Sequence, residues 1–210
     1  PLRAKLETLV KQASPRYFGL DAAGGQLFAV YLDPKFQQPM IVVMGQDADP
    51  TKARVVLDPN KLDPTGGTSF DWFVPSPDGE RIAVSLSKGG SEDGSLHVFD
   101  VATGRQVGEA IPRVQYPTAG GDAAWAPDGK GFWYTRYPDP DRPADEQHFH
   151  QTVWFHRLGE DPKTDVQVFG DGLPKIAAIK LHFSAEAGAL VLTVLNGDGG
   201  EVAHYVRGED

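Results

Sequence analysis

The chain has 210 residues, 40% hydrophobic and 10% aromatic, enough apolar surface for a sizeable core, which excludes a disordered chain and a mini-protein. Its 29 acidic against 20 basic side chains leave a net charge of −9 without a long like-charge run, which argues against nucleic acid as a partner. With no cysteine it has no disulfide, thiolate zinc site or cysteine nucleophile, and the absence leans towards a cytoplasmic setting, with the periplasm as the alternative.

No run approaches eighteen apolar residues, so no membrane span is expected, and the start lacks the apolar core of a signal peptide. Pro1 in place of an initiator Met leads us to expect a fragment or processed chain. The 24 Gly and 17 Pro predict many tight turns between short elements.

Leu2, Leu6, Leu9 and Val10 fall on one face of a short helix that Pro15 ends, giving an N-terminal helical segment over 1–15. From residue 16 to 210 the pattern changes to short strands. Leu27–Tyr31, Met40–Met44 and Ala53–Leu57 follow the turn at Asp21-Ala22-Ala23-Gly24. Asp58–Thr68 reads as an excursion between units. Ser76-Pro77-Asp78-Gly79 leads into Arg81–Ser85, followed by Leu96–Asp100 and Gln106-Val107 around Ala102-Thr103-Gly104. Ala126-Pro127-Asp128-Gly129 leads into Gly131–Thr135, then a second excursion between blades at Tyr137–Gln151, then Val153–His156 and Val166–Phe169. Ser184–Gly188 leads into Leu190–Val194.

Pro presets φ near −65° and Asp-Gly tolerates positive φ, so each of these turns reverses the chain into a hairpin. A four-stranded antiparallel meander repeated about every fifty residues is the signature of a β-propeller blade, because one such sheet cannot bury both faces alone. The fold class expected is therefore all-β: three complete blades and most of the inner part of a fourth, preceded by a short helix. An arc of blades exposes sheet faces and edges at its ends, so edge-to-edge self-association is a further expectation.

The ordered set Trp72-Phe73-Val74-Pro75-Ser76-Pro77-Asp78-Gly79, Leu86–Glu92, Arg113-Val114-Gln115-Tyr116, Trp125–Tyr134 and Val153–Gly159 resembles the N-terminal half of the propeller of prolyl oligopeptidases. Leu57-Asp58-Pro59-Asn60 and Asp165-Val166 extend the likeness. The resemblance implies a seven-bladed propeller covering an α/β-hydrolase domain that cleaves short peptides after proline with a Ser-Asp-His triad. It further implies that the N-terminal helix packs on that hydrolase domain, and that Tyr116 stands where the family's aromatic residue lines a substrate pocket. Tyr116 is equally readable as an ordinary rim aromatic; its hydroxyl needs a polar partner in either case. The family often carries a substrate-reaching Arg after the fourth blade's inner hairpin, and none stands near Leu195-Asn196-Gly197-Asp198.

No catalytic residue is assigned in this chain. A nucleophile elbow requires Gly-x-Ser-x-Gly, and the nearest string, Gly89-Gly90-Ser91-Glu92-Asp93, ends in Asp with no helix-forming run after it. His148, His150 and His156 lack metal-ligand spacing, and Asp139-Pro140-Asp141 lacks the ligand series and Gly of a calcium loop, so neither metal nor cofactor is expected. Trp72, Trp125, Trp133 and Trp154 read as packing between blades. The chain thus reads as the gating part of a peptidase, inert alone; the alternative is a free-standing binding propeller of the TolB kind.

Overall fold

Each blade begins at a hairpin, and in the second and third blades an Asp side chain closes the turn. In the second blade the Gly79 amide donates to the Ser76 carbonyl (2.8 Å), and the Asp78 carboxylate accepts from the Ser76 hydroxyl and the Glu80 amide. Gly79 sits at φ +71° and Gly129, its counterpart in the third blade, at φ +66°. Those left-handed positions explain the Asp-Gly repeat.

The computed structural model describes residues 2–11 and 14–208. Among these residues helix α1 (Leu2–Lys11) precedes fifteen strands. β1 (Arg16–Ala23), β2 (Gln26–Leu32), β3 (Met40–Met44) and β4 (Arg54–Leu57) form the first blade. A one-turn helix, α2 (Pro59–Leu62), leads to the second: β5 (Thr68–Pro75), β6 (Arg81–Lys88), β7 (Gly94–Asp100) and β8 (Gln106–Gln115). The third comprises β9 (Ala123–Trp125), β10 (Gly131–Arg136), β11 (Thr152–Arg157) and β12 (Val166–Phe169). Among the described residues the fourth has three strands, β13 (Ala177–Ser184), β14 (Ala189–Asn196) and β15 (Val202–Arg207). Every sheet is a sequential antiparallel meander, so the architecture is a partial propeller of four blades.

Period-2 alternation assigns each strand's two faces to two different interfaces. Phe28, Ile41, Val43, Ile82, Val84 and Phe99 pack the first blade on the second. Leu96, Val98, Ile111, Trp125, Phe132 and Tyr134 pack the second on the third, and Ile179, Leu181, Leu190 and Leu192 join Ala124 and Val153 between the third and fourth. The tryptophans do pack between blades. Trp125 is buried and its indole donates to the Val74 carbonyl across the interface (3.0 Å), while Trp133 stacks on Phe183 of the fourth blade.

One feature departs from the sequence reading. The excursion at 137–151 lies within the third blade, joining β10 to β11, whereas 58–67 does connect two blades. Helix α1 keeps Leu2, Leu6 and Leu9 exposed at 74%, 51% and 57%; the side chain of Val10 lies outside the described residues.

Candidate functional site

In a meander, successive connections emerge at alternate ends of the sheet. The turns opening each blade (24–25, 76–80, 126–130 and 185–188) therefore share one face of the propeller with the third-to-fourth-strand loops. The opposite face carries the blade-to-blade connections together with the loops 33–39, 89–93, 137–151 and 197–201. The innermost strands β1, β5, β9 and β13 converge on the axis. On the hairpin face they line one cleft with Ala22, Val74, Ala123 and Leu181, and Pro77 and Pro127 stand at its rim.

Tyr116 lies on the loop face, at the start of the connection from β8 to β9, and is 8% exposed. Its hydroxyl donates to Asp93 Oδ2 on the 89–93 loop (3.0 Å), which supplies the polar partner the hydroxyl requires. Burial, with that carboxylate behind it, pushes the phenol's pKa up and keeps it protonated. The ring meets the edge of Tyr137 (centroids 5.3 Å apart), the guanidinium of Arg113 (5.2 Å) and the imidazole of His148, stacked at 4.3 Å and 28°. Three segments of two blades thus meet at one aromatic residue.

Behind this cluster the backbone is over-determined. Arg113 adopts φ +62°, its carbonyl accepts from the Tyr137 amide (2.8 Å) and its guanidinium donates to the Gln147 carbonyl. Among the described residues the buried Arg113 Nε has no hydrogen-bond partner. A non-glycine residue held in the left-handed region costs on the order of 1–3 kcal/mol and persists only when its surroundings fix it. The Tyr137 hydroxyl and the Gln151 amide both donate to the Gly120 carbonyl, and Gln151 Oε1 accepts from the Ile179 amide of the fourth blade (2.7 Å).

The other candidates fall elsewhere. Ser91 is exposed in the 89–93 loop, where its hydroxyl accepts from the Asp93 amide; among the described residues no hydrogen bond joins it to an imidazole. The three histidines do not converge. His148 stacks on Tyr116, His150 pairs with Glu146 (2.6 Å), and His156 is buried with its Nδ1 2.8 Å from Asp165. Among the described residues no group of three or more His, Cys, Asp or Glu side chains is placed to hold a metal ion. No helix among them is long and apolar enough to cross a membrane.

The sequence singles out Tyr116 but not Asp93 and His148 as its partners, since those contacts depend on tertiary folding; Arg113 is a near neighbour whose left-handed backbone turns it onto the ring. Beside the cluster, a cleft of 270 Å³ lined by Arg136, Asp139, Arg142, His150 and Trp154 brings arginines to the loop face from the third blade. The segment 197–199 of the fourth blade is a single 3₁₀ turn without one.

Residues 11–210 match the family described as prolyl oligopeptidase, N-terminal beta-propeller domain. The chain is 31% identical over 147 residues to a prolyl endopeptidase of Elizabethkingia miricola, covering 66% of this chain and 19% of that protein. It is 36% identical over 158 residues to an uncharacterized peptidase of Sinorhizobium fredii, covering 74% of this chain and 18% of that protein. The chain therefore spans about a fifth of the length of these relatives. Among solved structures, one from a structural analysis of two prolyl endopeptidases aligns over 99% of this chain and 30% of its own, with a TM-score of 0.85 at 24% identity. Prolyl oligopeptidase B from Galerina marginata, bound to a 25mer macrocyclization substrate, aligns over 99% of this chain and 32% of its own, with a TM-score of 0.80 at 17% identity. The match over nearly the whole chain, on blades of the expected order, places it in the prolyl oligopeptidase family of serine peptidases, as an N-terminal β-propeller domain.

Proposed function

We propose that this domain is the substrate filter of a serine peptidase that cleaves short peptides after proline, and that the catalytic triad is carried by an α/β-hydrolase domain outside this chain. The observation that carries the reading is the convergence of β1, β5, β9 and β13 on one cleft, lined mainly by small and apolar side chains beside Asp21 and His182. Closed into a ring by further blades, such a cleft becomes a narrow passage that admits an extended peptide and excludes a folded protein. The family membership supplies the chemistry the chain itself does not contain. Residues 1–15 form a separate segment whose exposed leucines dock on the hydrolase domain, and residues 16–210 form the filter. Tyr116 lines the floor of the substrate pocket on the loop face, beneath His148, its ring fixed by the bond to Asp93.

The test is a pair of assays on this chain alone and on the intact peptidase that carries it: cleavage of a prolyl peptide, and labelling by a serine-directed covalent probe. The intact protein reacts in both and cleaves a short peptide but not a folded protein with the same prolyl site; this chain reacts in neither. Labelling of this chain, or equal cleavage of the folded protein, refutes the reading.

A further inference from the structure

Tyr116 is buried, whereas the imidazole stacked on it is exposed. An incoming group therefore meets His148 before Tyr116. Exposed loop side chains are ordinarily mobile, but the backbone carrying His148 is tied on both sides. Its predecessor Gln147 gives its carbonyl to the Arg113 guanidinium and its side-chain amide to the Pro140 and Arg142 carbonyls. On the other side the His150 amide donates to the Lys175 carbonyl (2.8 Å), and the Glu146 carboxylate joins the His150 ring (2.6 Å) to the Lys175 ammonium (3.2 Å). One face of the ring rests on Tyr116, which is itself held by Asp93.

We propose that His148 is a specificity-determining residue of the loop face, a fixed planar shelf that takes a ring-bearing side chain, aromatic or proline, of a bound peptide, with Tyr116 as its support. The proposal rests on the peptidase reading above and adds to it a residue and a preference. An aromatic ring gains from offset stacking, and a pyrrolidine ring from C–H contact, on a pre-positioned ring, without the entropy cost of ordering a mobile one. A small or charged side chain gains nothing comparable from the same surface.

The experiment compares His148→Ala and His148→Phe in the intact peptidase on two prolyl peptides that differ only in one residue, phenylalanine or alanine, scanned along the positions next to the cleaved proline. At the position that meets the shelf, His148→Ala raises KM for the phenylalanine peptide about three- to tenfold, the range expected for loss of one ring pair. It leaves kcat and the alanine peptide unchanged, and His148→Phe restores the wild-type value. In this chain alone, the His148 ring protons show an upfield ring-current shift that Tyr116→Leu abolishes. Equal effects of His148→Ala on both peptides at every position, no effect on either, or an unshifted His148 resonance overturns the proposal while the peptidase reading stands. An intact wild-type protein that cleaves neither peptide overturns both.

Discussion

Asp165 is the residue on which the inside of the third blade depends. Its two carboxylate oxygens accept from the Tyr134 hydroxyl (2.7 Å) and from His156 (2.8 Å), and all three side chains are withdrawn from solvent. Because a carboxylate only accepts, the proton between Asp165 and His156 sits on Nδ1. Burial first, and the carboxylate second, push the Tyr134 pKa far above its ordinary value, so the hydroxyl remains a donor at any working pH. Asp165→Ala strands two buried groups and should cost roughly 2–4 kcal/mol, against about 1 kcal/mol for Tyr134→Phe. Urea unfolding of the two variants checks the order; equal losses would refute the shared role. Gly24 offers a second residue-scale test. It lies at φ +56°, its amide donates to the Pro77 carbonyl of the next blade (3.0 Å), and an added Cβ would fall 1.9 Å from the Asp78 carbonyl oxygen. Gly89 has a similar φ of +62° with nothing within 4 Å of the same added atom. Gly89→Ala should therefore cost only the left-handed backbone penalty of about 1–2 kcal/mol. Gly24→Ala should cost clearly more, and the difference in unfolding free energy measures the contact between the first two blades.

At the scale of the element, the loop from 137 to 151 is held as part of the loop face. Hydrogen bonds from His150 and Lys175 keep the Glu146 carboxyl below the ordinary carboxylate range. A lowered folded pKa contributes stability that is fully present above the unfolded value and disappears as pH falls through the folded one. The tie to Lys175 is thus intact at neutral pH and lost only as pH falls below the ordinary glutamate range. Amide exchange in 137–151, corrected for intrinsic rates, should rise relative to the strands as pH falls from 6 to below 4, and Glu146→Gln should produce the same rise at pH 6. Loop protection that matches the wild type in the variant would show that the Glu146 carboxylate is dispensable and that the bonds of Arg113, Gln147 and the His150 amide hold the loop. Much of the rest was legible. Asp78-Gly79 and Asp128-Gly129 mark hairpins because the turn chemistry is local, and the runs Met40–Met44 and Val153–His156 fall within β3 and β11. The placement of 137–151 between blades failed because Pro138, Pro140 and Pro143 look like the Pro59–Pro64 link that does join two blades, and composition does not distinguish them. A second repeat went unread: Asp49-Pro50 and Asp161-Pro162 each cap a 3₁₀ turn between the third and fourth strands of their blades, with the Asp side chain accepting an amide two residues on. The cluster at Tyr116 was legible only as one position, because Asp93 and His148 are brought to it by the propeller and not by spacing along the chain.

Across the whole molecule, the packing that closes three blade interfaces leaves two sheet faces turned outward, that of the first blade, where Tyr17 and Val55 are exposed, and the more exposed one of the fourth. Along β15, Tyr205 packs on Phe169 of the third blade and Arg207 donates to the Val168 carbonyl, so the alternating positions Val202 and Val206 face away, at 51% and 70% exposure. The leucines of α1 form a further exposed apolar stripe. Against these surfaces stands a net charge of −9, which makes two copies repel at long range. The two effects respond oppositely to salt. Near 0.1 M the screening length is about 10 Å and repulsion still acts between approaching molecules; at 1 M it is about 3 Å and only the contact surface matters. Apolar contact is not weakened by such screening, so the isolated chain should be monomeric at low ionic strength and associate as salt is raised, read by sedimentation velocity at fixed protein concentration. Val206→Glu should hold it monomeric at high salt if the outer face of the fourth blade drives association, whereas deletion of residues 1–15 should do so if the α1 leucines drive it. In either case that deletion should change the melting temperature little, because Leu2, Leu6 and Leu9 bury little surface in the propeller. Association that weakens with salt would point to ion pairs between copies, and a chain that stays monomeric throughout would mean that none of these apolar surfaces is sufficient to hold two copies together.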